Sequence, residues 1–216
     1  MSWQWVFDNA ESLSINKRPI VSQTITRDQR VRSVSRGGDV WRFTIKMPTG
    51  LRWSDRPGTV RYYAEWIDTN NLLTPQTITL ASDKFDWLIG YRGDATSPDS
   101  MTWKYTSTQA ASDRTKFELG NMPGSVGTVL FRTGDVIQPF GGKVYTVSDI
   151  VVKGSSPAQL VKVNRPILET PSNTAVTLKV ANNVSWNVQC VQCPTWTIIE
   201  RDIVAWNGEF VFYEVL

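Results

Sequence analysis

The two cysteines of this chain, Cys190 and Cys193, form one Cys-x-x-Cys pair inside WNVQCVQCPTWTII, where residue type and spacing could do chemistry. Such a pair can cycle between dithiol and disulfide, or supply two ligands of a zinc ion. The redox motif normally opens a helix after a strand, whereas both flanks here are β-branched and aromatic. Zinc would need two more ligands, and with no His in the chain they would have to be carboxylates or come from another chain. The sequence therefore favours buried or half-buried structural thiols, and no catalytic, cofactor-binding or metal-ligating residue is assigned. Without His, no Ser or Cys has its usual activating base, and no paired-acid motif stands in, so an enzyme is the poorest candidate.

Charge and aromatic surface are the other chemical resources. Between Lys17 and Arg61 there are eleven Lys/Arg against three Asp/Glu, while the remaining residues hold twelve against seventeen, so a net charge of +3 hides a split of +8 and −5. A split of this kind suits head-to-tail contact between copies or between stacked rings. Scattered bases without a Lys/Arg run make nucleic acid a weaker partner, and a solvated strand face remains as good an account of the charge. Ten Trp residues supply large flat apolar surface for cores and interfaces alike. The candidate subunit-interface residues are Arg30, Arg32, Arg36 and Arg42 in the basic stretch, with Trp103 and Tyr105 in a polar loop further on.

The elements that must position these groups read as strands nearly throughout. The opening WQWVF followed by DNAESLSINKRP would be loose alone, so its Trp residues should tuck against the body or a neighbouring subunit. VSQTITRD, QRVRSVS and DVWRFTIKM read as strands. A Gly37-Gly38 turn would pair Val34 with Trp41, Arg32 with Phe43 and Arg30 with Ile45. One helix is expected in GLRWSDRPGTVRYYAEWIDTNN, with Pro57 in its first turn, Val60, Tyr63, Ala64 and Ile67 on one stripe, and Asn70-Asn71 at its end. TPQTITLAS and DKFDWLIGYRGD again read as strands. Residues 93–113, rich in Ser, Thr, Asp and Ala, read as a long loop that orders against another subunit, or as a simple exposed hairpin.

From Phe117 to Leu168, apolar runs alternate with turn chemistry at Gly120 to Gly124, Thr133-Gly134-Asp135, Pro139 with Gly141-Gly142, and Gly154 to Pro157. Short strands at this spacing suit a small OB-like barrel, since a narrow open sheet would leave two edges unpaired. The remainder runs to the end as strands. Asn207-Gly208 is the preferred two-residue hairpin turn and would set Ala205 opposite Phe210, Ile203 opposite Phe212 and Arg201 opposite Glu214. The last strand should return to the sheet of residues 21–91. The expected fold is mainly β: a β-sandwich-like domain with one helix, residues 1–115 with 170–216, and a small OB-like barrel, residues 116–169, inserted before the C-terminal strands.

This layout, with SRGGDVWRFTIKMP as first hairpin, GTVLFRTGDVIQPFGGKVYTV in the barrel and WNGEFVFYEVL as closing strand, resembles the distal tail proteins of long-tailed bacteriophages and related tail-tube and baseplate-hub proteins. The resemblance implies an architectural role: the β domain forms a ring that continues the tail tube, a hexamer in that family, and the second domain decorates it. It implies no catalytic or cofactor residue, and partners that are copies of the chain and other tail or baseplate proteins. Two other functions compete. A single-stranded nucleic-acid module would use an OB-like barrel, although the barrel stretch has few aromatics and the positive charge lies elsewhere. A carbohydrate-binding module would need exposed Trp residues in a flat platform. The start lacks the pattern of a secretory signal and no 18-residue apolar stretch occurs, so a protein made and used, or assembled, in a cytosol is expected, and the resemblance implies a virion tail assembled in the host cytoplasm without membrane contact.

Overall fold

The computed structural model describes residues 2–17, 21–25, 31–35, 40–53, 60–69, 74–80, 84–200 and 202–216, with the backbone alone for 21–25 and 31–35. With 42% of residues in strands and 17% helical, the chain is mainly β. Its antiparallel sheets and curled half-barrel place it in the class of a sandwich with a small barrel.

The N-terminal elements are α1 (Gln4–Asp8), β1 (Ser12–Asn16), β2 (Val21–Ile25), β3 (Val31–Ser35), β4 (Arg42–Lys46), β5 (Leu51–Arg52), α2 (Val60–Thr69) and β6 (Gln76–Thr79). The opening residues tuck into the body. Trp3 is buried edge-on against Trp66, Phe210 and Phe212, and Trp5 stacks on Tyr63 at 4.0 Å between centroids. Polar-looking residues 12–16 form a strand, because Leu13 and Ile15 pair with Ile45 and Phe43 of β4.

The expected Arg30–Lys46 hairpin is corrected by this pairing. Strand β3 pairs with β2, setting Thr24 opposite Arg32, while β4 runs between β1 and the last strand of the chain. Phe43 and Ile45 have no exposed surface, so a guanidinium opposite them would sit in an apolar layer without compensation. Helix α2 buries Val60 and Ala64 and half-buries Tyr63 and Ile67, the expected stripe, with Arg61 Nε donating to Glu65 Oε1 at 2.8 Å on the outer side. Pro57 and Asn70-Asn71 lie outside the described residues. The strand expected in DKFDWLIGYRGD is instead a 3-10 turn, Asp86–Leu88, that leaves Trp87 exposed.

Next come β7 (Thr102–Tyr105), α3 (Ser107–Ser112), β8 (Lys116–Gly120), β9 (Val129–Phe131), β10 (Val136–Pro139), β11 (Tyr145–Thr146), β12 (Val151–Val152), β13 (Gln159–Lys162) and β14 (Ser172–Val180). Their larger sheet has the order β11-β10-β14-β7-β8-β13, and β12 pairs with β9. The Gly-Asp turn behaves as its sequence demands. Gly134 has φ +95, and the buried carboxylate of Asp135 accepts from Arg132 N–H at 2.8 Å and from Arg92 Nε at 3.1 Å.

The last four strands are β15 (Ser185–Gln192), β16 (Thr195–Glu200), β17 (Ile203–Asn207) and β18 (Phe210–Glu214). Strand β18 returns to the N-terminal sheet, whose order is β1-β4-β18-β15-β6. The expected closing hairpin is not a paired one. The chain does turn at Gly208, φ +108, but it passes there from one sheet into another, since β17 lies between β16 and β5. Ala205 pairs with Thr197, and Phe212 lies between Phe43 and Cys190. Phe210, Val211 and Phe212 are all buried, and pairing with β4 on one edge and β15 on the other leaves β18 no edge for β17. Arg201 lies outside the described residues.

Compact units fall at Met1–Ile78 with Asn187–Val215, and at Thr79–Trp186. The boundaries expected at 116 and 169 are thereby corrected outward. The cause is that β7 and β14, outside the expected barrel, occupy the middle of the larger sheet, where β14 pairs with β10 and β7 with β8.

Candidate functional site

Cys190 lies on β15 and Cys193 just beyond its end. Neither is in a disulfide, and their sulfurs are 3.3 Å apart. On a regular strand, residues three apart point to opposite faces. The register of β15 against β18 slips between Cys190 and Gln192, so Val191 is an extra residue and the two thiols come together. Cys190 is buried and Cys193 half-exposed. Cys190 Sγ also lies 3.3 Å from the carbonyl oxygen of Gln192. Its hydrogen bond to Cys193, then burial, push the Cys190 thiol above its ordinary range, and the same bond holds Cys193 below it. Cys193 opens on a groove of about 520 Å³ lined by Ile67, Asp68, Pro194, Thr195, Trp196 and Trp206.

No group of three or more His, Cys, Asp and Glu side chains that could hold a metal ion occurs among the described residues. Replacing both cysteines with Ser is therefore expected to leave the chain folded, with its melting temperature lowered by only a few degrees, as for about 1 kcal/mol. Chelator should not change the melting temperature of wild type or variant. Collapse of the double variant, or stoichiometric zinc in the wild type, would contradict this.

Of the six interface candidates, the described residues include the side chains of Arg42, Trp103 and Tyr105. Arg30 and Arg36 lie outside the described residues, and of Arg32 only the backbone position opposite Thr24 is given. Arg42 is exposed on β4, its guanidinium 5.8 Å from the ring centroid of Tyr213, its cross-strand partner on β18. Trp103 and Tyr105 require correction. Both are 3% exposed on β7, in the middle of a sheet, so their rings belong to the core of Thr79–Trp186 and are not presented by an arm. The Ser/Thr-rich residues after them form α3, whose capping box joins Thr106 and Gln109: Gln109 N–H donates to Thr106 Oγ1, and Thr106 N–H to Gln109 Oε1.

Two surface features of Thr79–Trp186 were missed from sequence. One is a groove of about 390 Å³ in which exposed Ile150, Val152 and Leu160 lie between Lys116, Lys162 and Asp149. Ile150 stands beside Val151 and Val152 of β12, but alternation alone does not say which face is covered. The other is a pocket of about 260 Å³ walled by the exposed ring of Phe140, with Glu169, Thr170, Ser172 and Thr174 around it. Glu169 accepts from Lys143 N–H at 2.6 Å and from the Tyr145 hydroxyl. Burial and then the Glu169 charge push that hydroxyl far above its ordinary range, so it remains a donor.

No known protein-family model matches the sequence, and no characterised protein matches it significantly. No helix among the described residues is long and apolar enough to cross a membrane.

Proposed function

We propose that this chain is an architectural subunit of a bacteriophage tail tip or baseplate, assembling with copies of itself into a ring that joins the tail tube to distal components. The observation that carries the reading is the return of β18 to a sheet with the N-terminal strands β1 and β4, after a compact unit, Thr79–Trp186, has been built between them. A sheet in which the last strand of the chain joins the N-terminal strands, with a second unit inserted in the sequence between them, is the organisation on which the resemblance to distal tail proteins rests. The groove at Ile150, Val152 and Leu160 adds an apolar surface with both charge signs at its rim, suited to contact with another protein.

Mass measurement in solution and electron microscopy of the purified protein test the reading: rings support it, and a monomer at all concentrations and salts overturns it. Reversing Arg30, Arg32 and Arg36 to Glu should leave stability within about 0.5 kcal/mol and impair ring assembly, because rim charges act mainly on association. Normal assembly of this variant at low and high salt, or outright unfolding, would remove the basic stretch from the interface.

A carbohydrate-binding module is the second reading, favoured by the pocket at Phe140, where an exposed ring stands beside a carboxylate and three hydroxyls. Glycan binding by a monomer, abolished by Phe140→Ala, would promote it. Single-stranded DNA or RNA should bind poorly at physiological salt, since binding of this kind needs a basic groove coincident with stacking rings. Fluorescence anisotropy with a labelled oligonucleotide checks this.

A further inference from the structure

We propose that Cys190 and Cys193 form a reversible dithiol–disulfide site that reacts with low-molecular-weight disulfides of the glutathione class, Cys193 attacking and Cys190 resolving. Three observations converge on the pair. The extra residue at Val191 brings together two thiols that an unbroken strand would hold on opposite faces. The sulfurs stand 3.3 Å apart with neither committed to another covalent bond, so closure needs about 1.3 Å of approach to reach an S–S bond of about 2.05 Å. Their surroundings also differ in the way a two-step exchange requires. Cys193 faces the groove beside Trp196 and Thr195, whereas Cys190 is 2% exposed and does not line that groove. The hydrogen bond from Cys190 that stabilises a Cys193 thiolate supports the same order of attack.

The chemistry balances without another reactant. The Cys193 thiolate attacks one sulfur of oxidised glutathione, breaking its S–S bond, forming a mixed disulfide and releasing one glutathione thiolate. Cys190 then gives its proton to solvent and attacks Cys193 Sγ, expelling the second glutathione thiolate. The two cysteine sulfurs are oxidised and the two glutathione sulfurs reduced. The flanking strands resemble no helix-borne redox motif, which is why spacing alone pointed to inert thiols.

The experiment incubates the full chain in glutathione buffers of graded ratio, quenches with acid, alkylates the remaining thiols and measures intact mass. Wild type should lose two hydrogens without retaining glutathione, and dithiothreitol should reverse this with circular dichroism unchanged. Cys190→Ser should accumulate one glutathione on Cys193, and Cys193→Ser should react at least about tenfold more slowly, since its remaining thiol is buried and protonated. Cys190→Ala serves in place of Cys190→Ser if the latter fails to fold. Wild type that keeps both thiols in excess oxidised glutathione, or stops at a glutathione adduct, overturns the proposal. So does equal reactivity of the two single variants. None of these outcomes depends on whether the chain forms rings.

Discussion

Trp103→Ala is expected to destabilise the unit Thr79–Trp186 by about 3–5 kcal/mol, the range for truncating a buried Trp or Phe. The ring lies nearly parallel to Phe117 at 3.8 Å and to Tyr145 at 5.5 Å between centroids, on a strand hydrogen-bonded on both sides. Removing it takes away dispersion contacts with two neighbours and leaves a hole that β-sheet backbone cannot close. Trp103→Phe keeps most of the stack and should cost a smaller share. Urea denaturation followed by circular dichroism reads both variants. If Trp103 served an arm ordered only by another subunit, Trp103→Ala would leave monomer stability unchanged and affect assembly alone. An unchanged midpoint would restore that account.

The contrast at Trp103 shows which signals in the sequence were legible. Local chemistry was: Val60, Ala64 and Ile67 announced α2 by their period, and Thr133-Gly134-Asp135 announced a turn that Asp135 closes with its own carboxylate. Pairing partners were not, because a turn signal says where a chain reverses and not whether the two arms stay together. At Gly208 the reversal is real while β17 and β18 go to separate sheets, and at residues 31–46 the consecutive strands β3 and β4 likewise go to separate sheets. Long-range competition decides these cases: Phe43 finds Ile15 and Phe212, both apolar, where Arg32 would have been charged.

Polar composition misled for a related reason. The run Ser107–Ser112 looks like loop, yet its capping box satisfies the first amide groups of a short helix, and the strand before it needs only Met101, Trp103 and Tyr105 to bury a face. The site at Cys190 was hidden by parity. Two residues at i and i+3 on a strand are read as divergent, and only the slip against β18 at Val191, a property of the paired sheet, makes them neighbours.

Trp3→Ala is the second large effect, expected at about 3–5 kcal/mol in the unit formed by Met1–Ile78 and Asn187–Val215. Sequence left two homes for this ring, the body of the same chain or a neighbouring subunit, and burial at 1% exposure within a single chain favours the first. Edge-on contacts at 4.8 Å to Trp66, 5.2 Å to Phe212 and 6.3 Å to Phe210 place it against both α2 and β18, while its backbone N–H donates to Gln76 Oε1 at 2.9 Å. Each such aromatic pair contributes about 0.5–1.5 kcal/mol beyond the area it buries. Trp5 provides the internal control. Among the described residues its one ring contact is the stack on Tyr63, and it remains half-exposed, so Trp5→Ala should cost no more than about 1–2 kcal/mol. Denaturation midpoints measured at two protein concentrations separate the cases. A loss for Trp3→Ala that is independent of concentration assigns the ring to the monomer's own core, and a loss that vanishes on dilution would assign it to a neighbouring copy.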